Sequence, residues 1–571
     1  MLGNEAVARG LYEAGVTVAS SYPGTPSTEI TEFAALYEEI NAEWAPNEKV
    51  AAEAAIGASI DGSRSFCAMK HVGLNVAADP LYTASYTGVN GGLVFAVADD
   101  PGMHSSQNEQ DSRHHAIASK VAMVEPSDSA ECKEFTKMAY DLSEQFDTPV
   151  IIRLSTRVSH SQSLVEENER ADYIKKPYVK NIAKYVMMPA GAKPRHVFVE
   201  ERTKKLIAYG DNCPFNKVID NKSDIGVISS GAAFQYAAEA LGDSVNYLKI
   251  GLVTPLPEKL IRDFAASVKT LYVIEELDDI IETHCKKMGL SVIGKELFSF
   301  CGELSQAIIA EKILKKTAET YTLDINVPVR PPVMCAGCPH RGVFSILNKL
   351  KLRVSGDIGC YTLGASAPLS AVDTTVCMGA SVSGLHGMNL SNPENAKKTV
   401  AVIGDSTFMH SGITGLVNIC YNRTNSTVIV LDNSITGMTG HQQNPATGIT
   451  LKGDVTAAVN IEALCKAVGI RRVRVCDPYN LSDVETAVKE EIAAEEPSVI
   501  IARRPCALLK NVKHNPAFTI TDCRGCKACL RLGCPAIFNR EKTVEIDKSQ
   551  CVGCGICKDV CKFNCISEGK V

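Results

Sequence analysis

The sequence predicts an α/β protein in which three parallel-sheet domains precede a small cysteine-rich domain. Three observations support this fold class. Short strands that are apolar on both faces alternate with helical segments, as in parallel sheets covered by helices. The chain has 571 residues, enough for several domains of ordinary size. Eight cysteines fall within the segment 523–561, close to the C-terminus.

Six segments carry the strand pattern: GLVFAVADD (92–100), TPVIIRLS (148–155), DIGVISSG (224–231), TLYVIEEL (270–277), KKTVAVIGDS (397–406) and NSTVIVLDN (425–433). Stretches with proline or clustered charge interrupt this alternation, as linkers often do. They lie at 160–195, 324–334 and 510–519. We therefore expect domains over residues 1–190, 191–325, 326–510 and 511–571.

Composition excludes several classes of function. The net charge is −6, and no Lys/Arg-rich tract with interleaved aromatic residues suggests nucleic-acid binding. No segment reaches about 18 consecutive apolar residues, so we expect no membrane-spanning helix. The N-terminus lacks the pattern of an export signal, so the 22 cysteines should be thiols and metal ligands rather than disulfides. We expect a soluble, cytoplasmic protein.

The C-terminal cysteines have the spacing of iron–sulfur ligands. Cys523, Cys526 and Cys529 form C-x2-C-x2-C, with Cys534-Pro535 after them, and a second run holds Cys551, Cys554, Cys557 and Cys561. Three thiolates at this spacing converge on one cubane, whereas a zinc ribbon uses paired C-x2-C units.

This tail resembles bacterial-type ferredoxin domains, in which the fourth cysteine of each run crosses to the other cluster. The resemblance implies one [4Fe-4S] cluster on Cys523, Cys526, Cys529 and Cys561, and a second on Cys534, Cys551, Cys554 and Cys557. Two features depart from the pattern: four residues rather than three precede Cys534, and Lys562 stands where proline usually follows the last ligand. Cys565 is left over as a bystander.

Residues 399–433 predict a βαβ unit with Asp405 and Asn433 at the carboxyl ends of its two strands, where ligands collect in parallel sheets. Carboxylate and amide oxygens suit Mg²⁺, and the adjacent helix N-terminus suits phosphate. Gly404-Asp405-Ser406 followed by Asp432-Asn433 resembles the thiamine diphosphate signature, although Ser406 and Asp432 are substitutions in it. The resemblance implies that Asp405, Asn433 and the backbone carbonyl of Ile435 hold Mg²⁺. An ordinary α/β turn is the alternative.

Thiamine enzymes also need a glutamate that hydrogen-bonds the aminopyrimidine ring of the cofactor. In NEKVAAEAAIGAS, Glu48 precedes Gly57 by the spacing that this superfamily shares, and Glu53 is the alternative as an ordinary carboxylate on a helix face. Upstream, SYPGTPSTE (21–29) resembles the YPxTPS turn of 2-oxoacid:ferredoxin oxidoreductases, which implies that Thr25 faces the substrate. A helix start explains the same residues equally well.

The order of these parts resembles the thiamine diphosphate-dependent 2-oxoacid:ferredoxin oxidoreductases, and among them the alpha subunits of the indolepyruvate enzymes. The segments that carry it best are GVISSG (226–231), IGLVTPLPEKL (250–260), GDSTFMHSGITGL (404–416) and LDNSITGMTGHQ (431–442). The resemblance implies thiamine-binding folds at 1–190 (pyrimidine) and 326–510 (diphosphate), a transketolase C-terminal-like domain at 191–325 and a ferredoxin domain at 511–571. Gly404, Ser406, Thr439 and Gly440 are then expected to contact the cofactor.

The implied activity is oxidative decarboxylation of aryl 2-oxoacids, such as indolepyruvate and phenylpyruvate, to aryl-acetyl-CoA. Electrons would leave through the [4Fe-4S] clusters to an external ferredoxin, and coenzyme A would take the acyl group. A separate beta subunit is expected, in a heterodimer or a dimer of heterodimers. Two alternatives are a branched-chain or short 2-oxoacid as substrate, and a non-catalytic electron-transfer subunit with a relic thiamine fold.

Further candidates complete the set. Cys335, Cys338, Cys360 and Cys506 resemble the ligands of the cluster nearest thiamine in pyruvate:ferredoxin oxidoreductase, so a third [4Fe-4S] cluster is expected; buried apolar cysteines are the alternative. His441, beside the metal-binding turn, and His71 rank first among histidines for acid–base chemistry. Arg113 could pair with the substrate carboxylate, with an ordinary surface role as the alternative.

Overall fold

The computed structural model describes residues 1–317, 319, 321 and 323–569. These residues form two compact units, Met1–Asp324 and Ile325–Val571. Mixed α/β structure with mostly parallel sheets is confirmed in both. The boundary expected at 325/326 falls beside the division between the units, while the boundaries expected inside each unit stay predictions.

The first unit contains two sheets and eleven strands. The strands are β1 (Val18–Ser21), β2 (Asn41–Trp44), β3 (Ser65–Lys70), β4 (Leu93–Asp99), β5 (Ala122–Val124), β6 (Val150–Ser155), β7 (Lys217–Ile219), β8 (Ile225–Ser229), β9 (Asn246–Lys249), β10 (Leu252–Thr254) and β11 (Thr270–Ile274). The seven-stranded sheet has the order β10-β5-β6-β4-β3-β1-β2, and the four-stranded sheet has the order β11-β8-β9-β7. Strands β4 and β6 are buried at every position, as a sheet covered on both faces requires.

Helices cover these sheets. They are α1 (Gly3–Glu13), α2 (Thr28–Ala34), α3 (Glu48–Ile60), α4 (His71–Val76), α5 (Ala78–Thr87), α6 (Arg113–Ser119), α7 (Ser129–Phe146), α8 (Thr156–His160), α9 (Ile182–Tyr185), α10 (Pro189–Gly210), α11 (Gly231–Leu241), α12 (Glu258–Ala266), α13 (Ile280–Lys287) and α14 (Gln306–Ile309). Side-chain caps start several of them: Asn47 accepts from the N–H of Val50 at α3, and Asp128 accepts from that of Glu131 at α7.

The short strand β10 joins the two halves of the first unit. Although it lies within the segment expected to form a separate middle domain, it pairs antiparallel with β5 at the edge of the seven-stranded sheet. Asn216 supports the crossing, because its side chain accepts from the N–H groups of Gly251 and Leu252. The pairing covers a sheet edge that would otherwise expose unpaired backbone groups.

A buried charge network also lies in the first unit, and it corrects the expectation for Arg113. This side chain is fully buried. It donates to Asp111 at 2.6 Å and to Glu275 at 2.6 Å, and it also bonds the carbonyls of Glu276 and Asp278. Arg113 is therefore neither a surface residue nor open to a substrate carboxylate, because neighbouring carboxylates of the same unit already engage it.

The network stabilises the fold through charge pairing. Burial alone would raise the pKa of Asp111, but Arg113 and Arg153 hold that pKa well below its usual range. A carboxyl whose pKa is depressed on folding contributes stability that is present at neutral pH and is lost on acidification through the folded-state pKa. The pairing therefore stabilises the first unit throughout the physiological pH range.

We expect Arg113→Met to lower the free energy of unfolding by about 3–5 kcal/mol, because it leaves two buried carboxylates without their partner. Denaturant unfolding followed by circular dichroism measures this change. The matched control is Arg157→Met, which removes an exposed arginine paired with Glu303 and should cost about 0–1 kcal/mol. Equal stability of the two variants would contradict a structural role for the buried pair.

The second unit is built on one parallel sheet. Its strands are β12 (Arg353–Ser355), β13 (Thr399–Gly404), β14 (Thr427–Asp432), β15 (Arg472–Cys476) and β16 (Ser498–Arg503), in the order β12-β13-β14-β16-β15. Its helices are α15 (His340–Lys349), α16 (Ala380–Ser391), α17 (Asp405–Thr407), α18 (Ile413–Tyr421), α19 (Ile461–Ala467), α20 (Leu481–Ala493) and α21 (Ile556–Asp559). A π-helical turn, Phe408–Gly412, connects α17 to α18, so helical structure runs from 405 to 421.

The cysteine-rich tail folds onto this sheet domain. It has two small hairpin-like pairs, β17 (Phe518–Ile520) with β20 (Ile566–Glu568) and β18 (Ile537–Asn539) with β19 (Val544–Ile546). Tail residues Leu532 and Ile556 share one buried hydrophobic cluster with Phe344 and Leu347 of α15. Gly337 is packed so closely that a β-carbon there would overlap a methyl group of Val552.

Of the helices in the described part of the chain, none combines the length and the apolar composition that a membrane span requires.

Candidate functional site

The carboxyl edge of the second sheet holds the predicted metal ligands. Asp405 directly follows β13 and begins the helical run, and Asn433 directly follows the neighbouring parallel strand β14. Both side chains are buried. The sheet topology therefore brings together two polar side chains that lie 28 positions apart in the sequence.

Asp405, Asn433 and Ile435 meet at one point. A polar atom of the Asn433 side-chain amide lies 3.0 Å from Asp405 Oδ1 and 2.9 Å from the backbone oxygen of Ile435. If the amide nitrogen of Asn433 occupies that position, it donates to both oxygens. If the amide is turned so that its oxygen lies there, the oxygens of Asp405, Asn433 and Ile435 converge. Neighbouring ligands of octahedral Mg²⁺ are separated by about 2.9 Å, given Mg–O bonds of 2.0–2.1 Å. Both measured separations match that of adjacent ligands in a magnesium octahedron.

The charge of this site also fits a cation. Burial and the nearby Asp432 raise the pKa of Asp405 to about 7. A divalent cation favours the ionised carboxylate in such a place. Asn444, which the sequence analysis missed, lies 3.5 Å from the second carboxylate oxygen of Asp405. Little in the sequence indicated Asn444, because this residue lies in a loop rather than at the end of a strand.

The loop after Asn433 folds back on itself. Backbone bonds join Thr436 and Gln442 in both directions, and the hydroxyl of Thr439 donates to the Gln442 side chain at 2.6 Å. The hydroxyl of Thr436 donates to that of Ser406 at 2.8 Å. Gly440 takes a φ of 122°, which glycine adopts most readily. His441 is exposed at the tip of this loop.

Asp357 is a second residue that the sequence analysis missed. It follows β12 at the same sheet edge, is fully buried, and accepts from the N–H groups of Gly379 and Ser381 at 2.9 Å each. It thereby fixes the start of α16 and the small-residue run 377–387. An Asp two residues after a short strand was the available signal, but β12 is only three residues long and polar at its start.

In the first unit, the structure separates the two candidate glutamates. Glu48 is the first residue of α3 and is only 4% exposed, whereas Glu53 is exposed and pairs with Lys49. A β-carbon at Gly73 would lie 2.6 Å from Glu48 Oε1, so the glycine makes room for this carboxylate. A buried carboxylate at a helix N-terminus is placed to accept or donate one strong hydrogen bond.

Lys70 ends β3 and is an electrostatic neighbour of Glu48, His71 begins the helix that follows, and Thr25 lies in the turn after β1. Thr25 is half-buried, and a β-carbon at its neighbour Gly24 would lie 3.2 Å from Lys70 Cγ. Burial lowers the pKa of Lys70, while Asp100 and Glu48 oppose that shift. His71 is buried, with Nε2 3.1 Å from the backbone oxygen of Asn108. Lys70 was missed although it is the last residue of a buried strand.

The four cysteines expected to hold a third cluster come together in the second unit. Burial and the neighbouring thiols raise the pKa of Cys338 to about 12 and that of Cys360 to about 11. The electrostatic neighbours of Cys360 are Cys506 and Cys335. The N–H of Cys506 donates to the backbone oxygen of Asn433 at 2.9 Å. Cys506, one of these four cysteines, is therefore directly bonded to the backbone of Asn433, one of the predicted metal ligands.

The eight tail cysteines surround two separate cavities. One cavity is lined by Cys523, Cys526, Cys529 and Cys561, and the other by Cys534, Cys551, Cys554 and Cys557. Each fourth cysteine thus crosses to the other run. Cys565, which was expected to take no part in cluster binding, also lines the first cavity.

A single metal ion needs ligands that converge more closely than the thiolates of a cubane do. Among the described residues, no three His, Cys, Asp or Glu side chains converge as they would around one ion. A cubane is larger than a single ion, so its four thiolates stand apart around a cavity, as these do.

Three family models match the chain. Residues 9–209 match the thiamine diphosphate-binding domain of pyruvate flavodoxin/ferredoxin oxidoreductases. Residues 357–502 match the C-terminal binding domain of thiamine pyrophosphate enzymes, and residues 544–567 match a 4Fe-4S binding domain. The last match covers the second cysteine run only.

Curated relatives extend over the whole chain. "Indolepyruvate oxidoreductase subunit IorA" of Archaeoglobus fulgidus is 38% identical over 100% of this chain and 97% of its own length. The protein of the same name from Pyrococcus abyssi is 38% identical over 100% and 96%. A solved 2-oxoglutarate:ferredoxin oxidoreductase from Magnetococcus marinus covers 55% of this chain and 64% of its own at 19% identity, with a TM-score of 0.47, too low to support an argument.

Thiamine diphosphate-binding domains and a ferredoxin-type iron–sulfur domain in one chain define a subunit of a 2-oxoacid:ferredoxin oxidoreductase. The match over its full length is more specific. The chain belongs to the family of indolepyruvate oxidoreductase subunits IorA, and the resemblance drawn from the sequence is confirmed.

We expect Asp405→Asn to weaken the Mg²⁺-dependent binding of thiamine diphosphate by more than ~100-fold, because losing even an outer-shell partner of a metal ligand costs 10–100-fold. Titration calorimetry on the assembled enzyme measures the change. Asp454→Asn, at an exposed position of the same unit, should bind as the native protein does. Undiminished binding by Asp405→Asn would reject the magnesium site.

Proposed function

We propose that this chain is the catalytic subunit of an enzyme that oxidatively decarboxylates aryl 2-oxoacids to aryl-acetyl-CoA and transfers the electrons to ferredoxin. One observation carries the proposal: the four cysteines Cys335, Cys338, Cys360 and Cys506 lie between the strand-end oxygen ligands and the ferredoxin-type tail. Cys506 bonds the backbone of Asn433, and Ala336 and Gly337 border the cavity of the second cysteine set. Such an order of groups suits removal of electrons from a cofactor.

Four sites carry the cofactors in this proposal. Asp405, Asn433 and Ile435 hold Mg²⁺ and, with Gly404, Ser406, Thr439 and Gly440, the diphosphate end of thiamine diphosphate. The two tail sets hold one [4Fe-4S] cluster each, and the third cysteine group holds a third. When bound, thiamine diphosphate supplies the nucleophile for the keto carbon and the electron sink for decarboxylation.

Residues of the first unit orient cofactor and substrate. Glu48 is buried, so its carboxyl group can make a strong hydrogen bond to the aminopyrimidine ring. Thr25 faces the substrate, in line with the turn that contains it. Lys70 replaces Arg113 as the partner of the substrate carboxylate, since it is the cation that lies beside both Gly24 and Glu48. His71 and His441 remain the candidates for proton transfer.

The aryl substrate rests on the relatives' names and on the loop at 438–442. Pyruvate enzymes have Asn-Thr-Gly-Gly-Gln in the segment that resembles this loop. This chain has Met438 in place of the asparagine and His441 in place of the second glycine. Both side chains are exposed, so they are available to a planar apolar group. A beta subunit, coenzyme A as acyl acceptor and an external ferredoxin complete the proposed system.

We expect the enzyme assembled from this chain and its beta subunit to reduce methyl viologen with a kcat/KM at least ~10-fold higher for indolepyruvate and phenylpyruvate than for 2-oxoisovalerate. Pocket contacts of a few carbon atoms discriminate by about this factor. Glu48→Gln should be at least ~100-fold slower with every substrate, and Glu53→Gln should match the native enzyme. A preference for 2-oxoisovalerate would reject the aryl substrate.

Iron content tests the third cluster. The anaerobically isolated chain should contain about twelve irons, four in each [4Fe-4S] cluster, and Cys360→Ala should contain about eight. Cys301→Ala is the control and should keep the native content, because Cys301 is an exposed cysteine of the first unit, outside the proposed ligand sets. About eight irons in the native protein would reject the third cluster and leave the tail assignment intact.

A further inference from the structure

Arg341 is a buried arginine with an unusual environment. It is the second residue of α15, within the segment CAGCPHRG, and is only 2% exposed. Its Nη2 donates to the backbone oxygens of Met334 at 2.8 Å and Cys335 at 3.0 Å, and its Nη1 donates to that of Leu532. Its Nε is buried, with no hydrogen-bond partner among the described residues.

No carboxylate in the described part of the chain forms an ion pair with Arg341. Arg113 pairs with Asp111 and Glu275, and Arg153 pairs with Asp99, whereas buried Arg202, like Arg341, has no ion pair among the described residues. A buried guanidinium without an opposite charge is expensive, because backbone carbonyls supply only partial charges. A negative group next to Arg341 would offset this cost.

The cavity that Arg341 borders supplies the place for such a group. Cys534, Cys551, Cys554 and Cys557 line the same cavity. Burial raises the pKa of the Cys554 thiol, and the charge of Arg341 opposes that rise. Arg341 therefore lies in the wall of the cavity that these four thiols line, and among the described residues two of its five N–H groups, one on Nε and one on Nη1, have no partner.

We propose that Arg341 is the counter-ion of the [4Fe-4S] cluster held by Cys534, Cys551, Cys554 and Cys557, and that it raises the reduction potential of this cluster. The inference rests on the proposed assignment of that cluster. A cubane with four thiolates is negatively charged, and its one-electron reduction adds one further negative charge. A buried cation and N–H groups directed at sulfur stabilise the reduced form more than the oxidised form.

The other tail cluster offers a matched comparison. Arg524 lines the cavity of Cys523, Cys526, Cys529 and Cys561, but it is exposed. Water and salt screen an exposed charge, so its effect on a potential is small. The two clusters thus each have one adjacent arginine, and the two arginines differ in burial.

The test is a potentiometric titration of the anaerobic, iron-loaded enzyme, followed by electron paramagnetic resonance. In Arg341→Gln, the ratio of reduced to oxidised protein at a fixed ambient potential should fall about tenfold for one cluster, equal to ~59 mV for one electron. The other tail cluster should not move, and Arg524→Gln should change neither by more than ~twofold. No shift in Arg341→Gln, or an equal shift of both tail clusters, would overturn the proposal.

Arg341→Lys keeps the charge and loses the forked bonds to Met334, Cys335 and Leu532. A native potential in this variant supports the counter-ion, and a tenfold loss like that of the glutamine variant overturns it. If Arg341→Gln loses iron, retention of iron by Arg341→Lys supports the proposal, whereas loss from both assigns Arg341 a purely structural role. Fewer than about eight irons in the native protein would instead reject the cluster assignment itself.

Discussion

The convergence of Asp405, Asn433 and the Ile435 carbonyl is the interaction on which the site of the second unit depends. Parallel strands β13 and β14 end side by side, and each delivers one polar group to the same point. The surroundings exclude water, so the carboxylate needs either a proton or a cation. Because the ligands come from strand ends rather than from a mobile loop, the sheet fixes their separation. Everything that packs around this point, from Asn444 to the Cys506 backbone, takes its position from the two strands.

Buried charged side chains occur in both units, but their charges are compensated differently. In the first unit, Arg113 and Arg153 are paired with carboxylates of the protein itself, so the network is complete without a ligand. In the second unit, Asp405 and Arg341 are both buried without an opposite charge beside them among the described residues. Prosthetic groups of the matching sign, Mg²⁺ and an iron–sulfur cluster, would complete them.

Much of this arrangement was accessible from the sequence. All six apolar strands were placed, because doubly buried parallel strands leave an unbroken run of Val and Ile. The grouping of Asp405 with Asn433 followed from strand ends, and the grouping of the tail cysteines into two crossed sets followed from the resemblance to bacterial-type ferredoxin domains. The misses have a common cause. Arg113, Asn444 and Asp357 depend on partners distant in sequence, and a single sequence does not reveal which distant groups pair. The antiparallel pairing of β10 was missed for the same reason.

The close packing of the tail has a consequence for how electrons leave. Leu532 and Ile556 share a core with Phe344 and Leu347, and Gly337 leaves no space between the C-x2-C turn and Val552. A domain seated in this way cannot swing between a donor and an acceptor as a tethered carrier does. In the proposed function it is a fixed relay, so an external ferredoxin would travel to the tail and the rate of delivery would depend on that encounter.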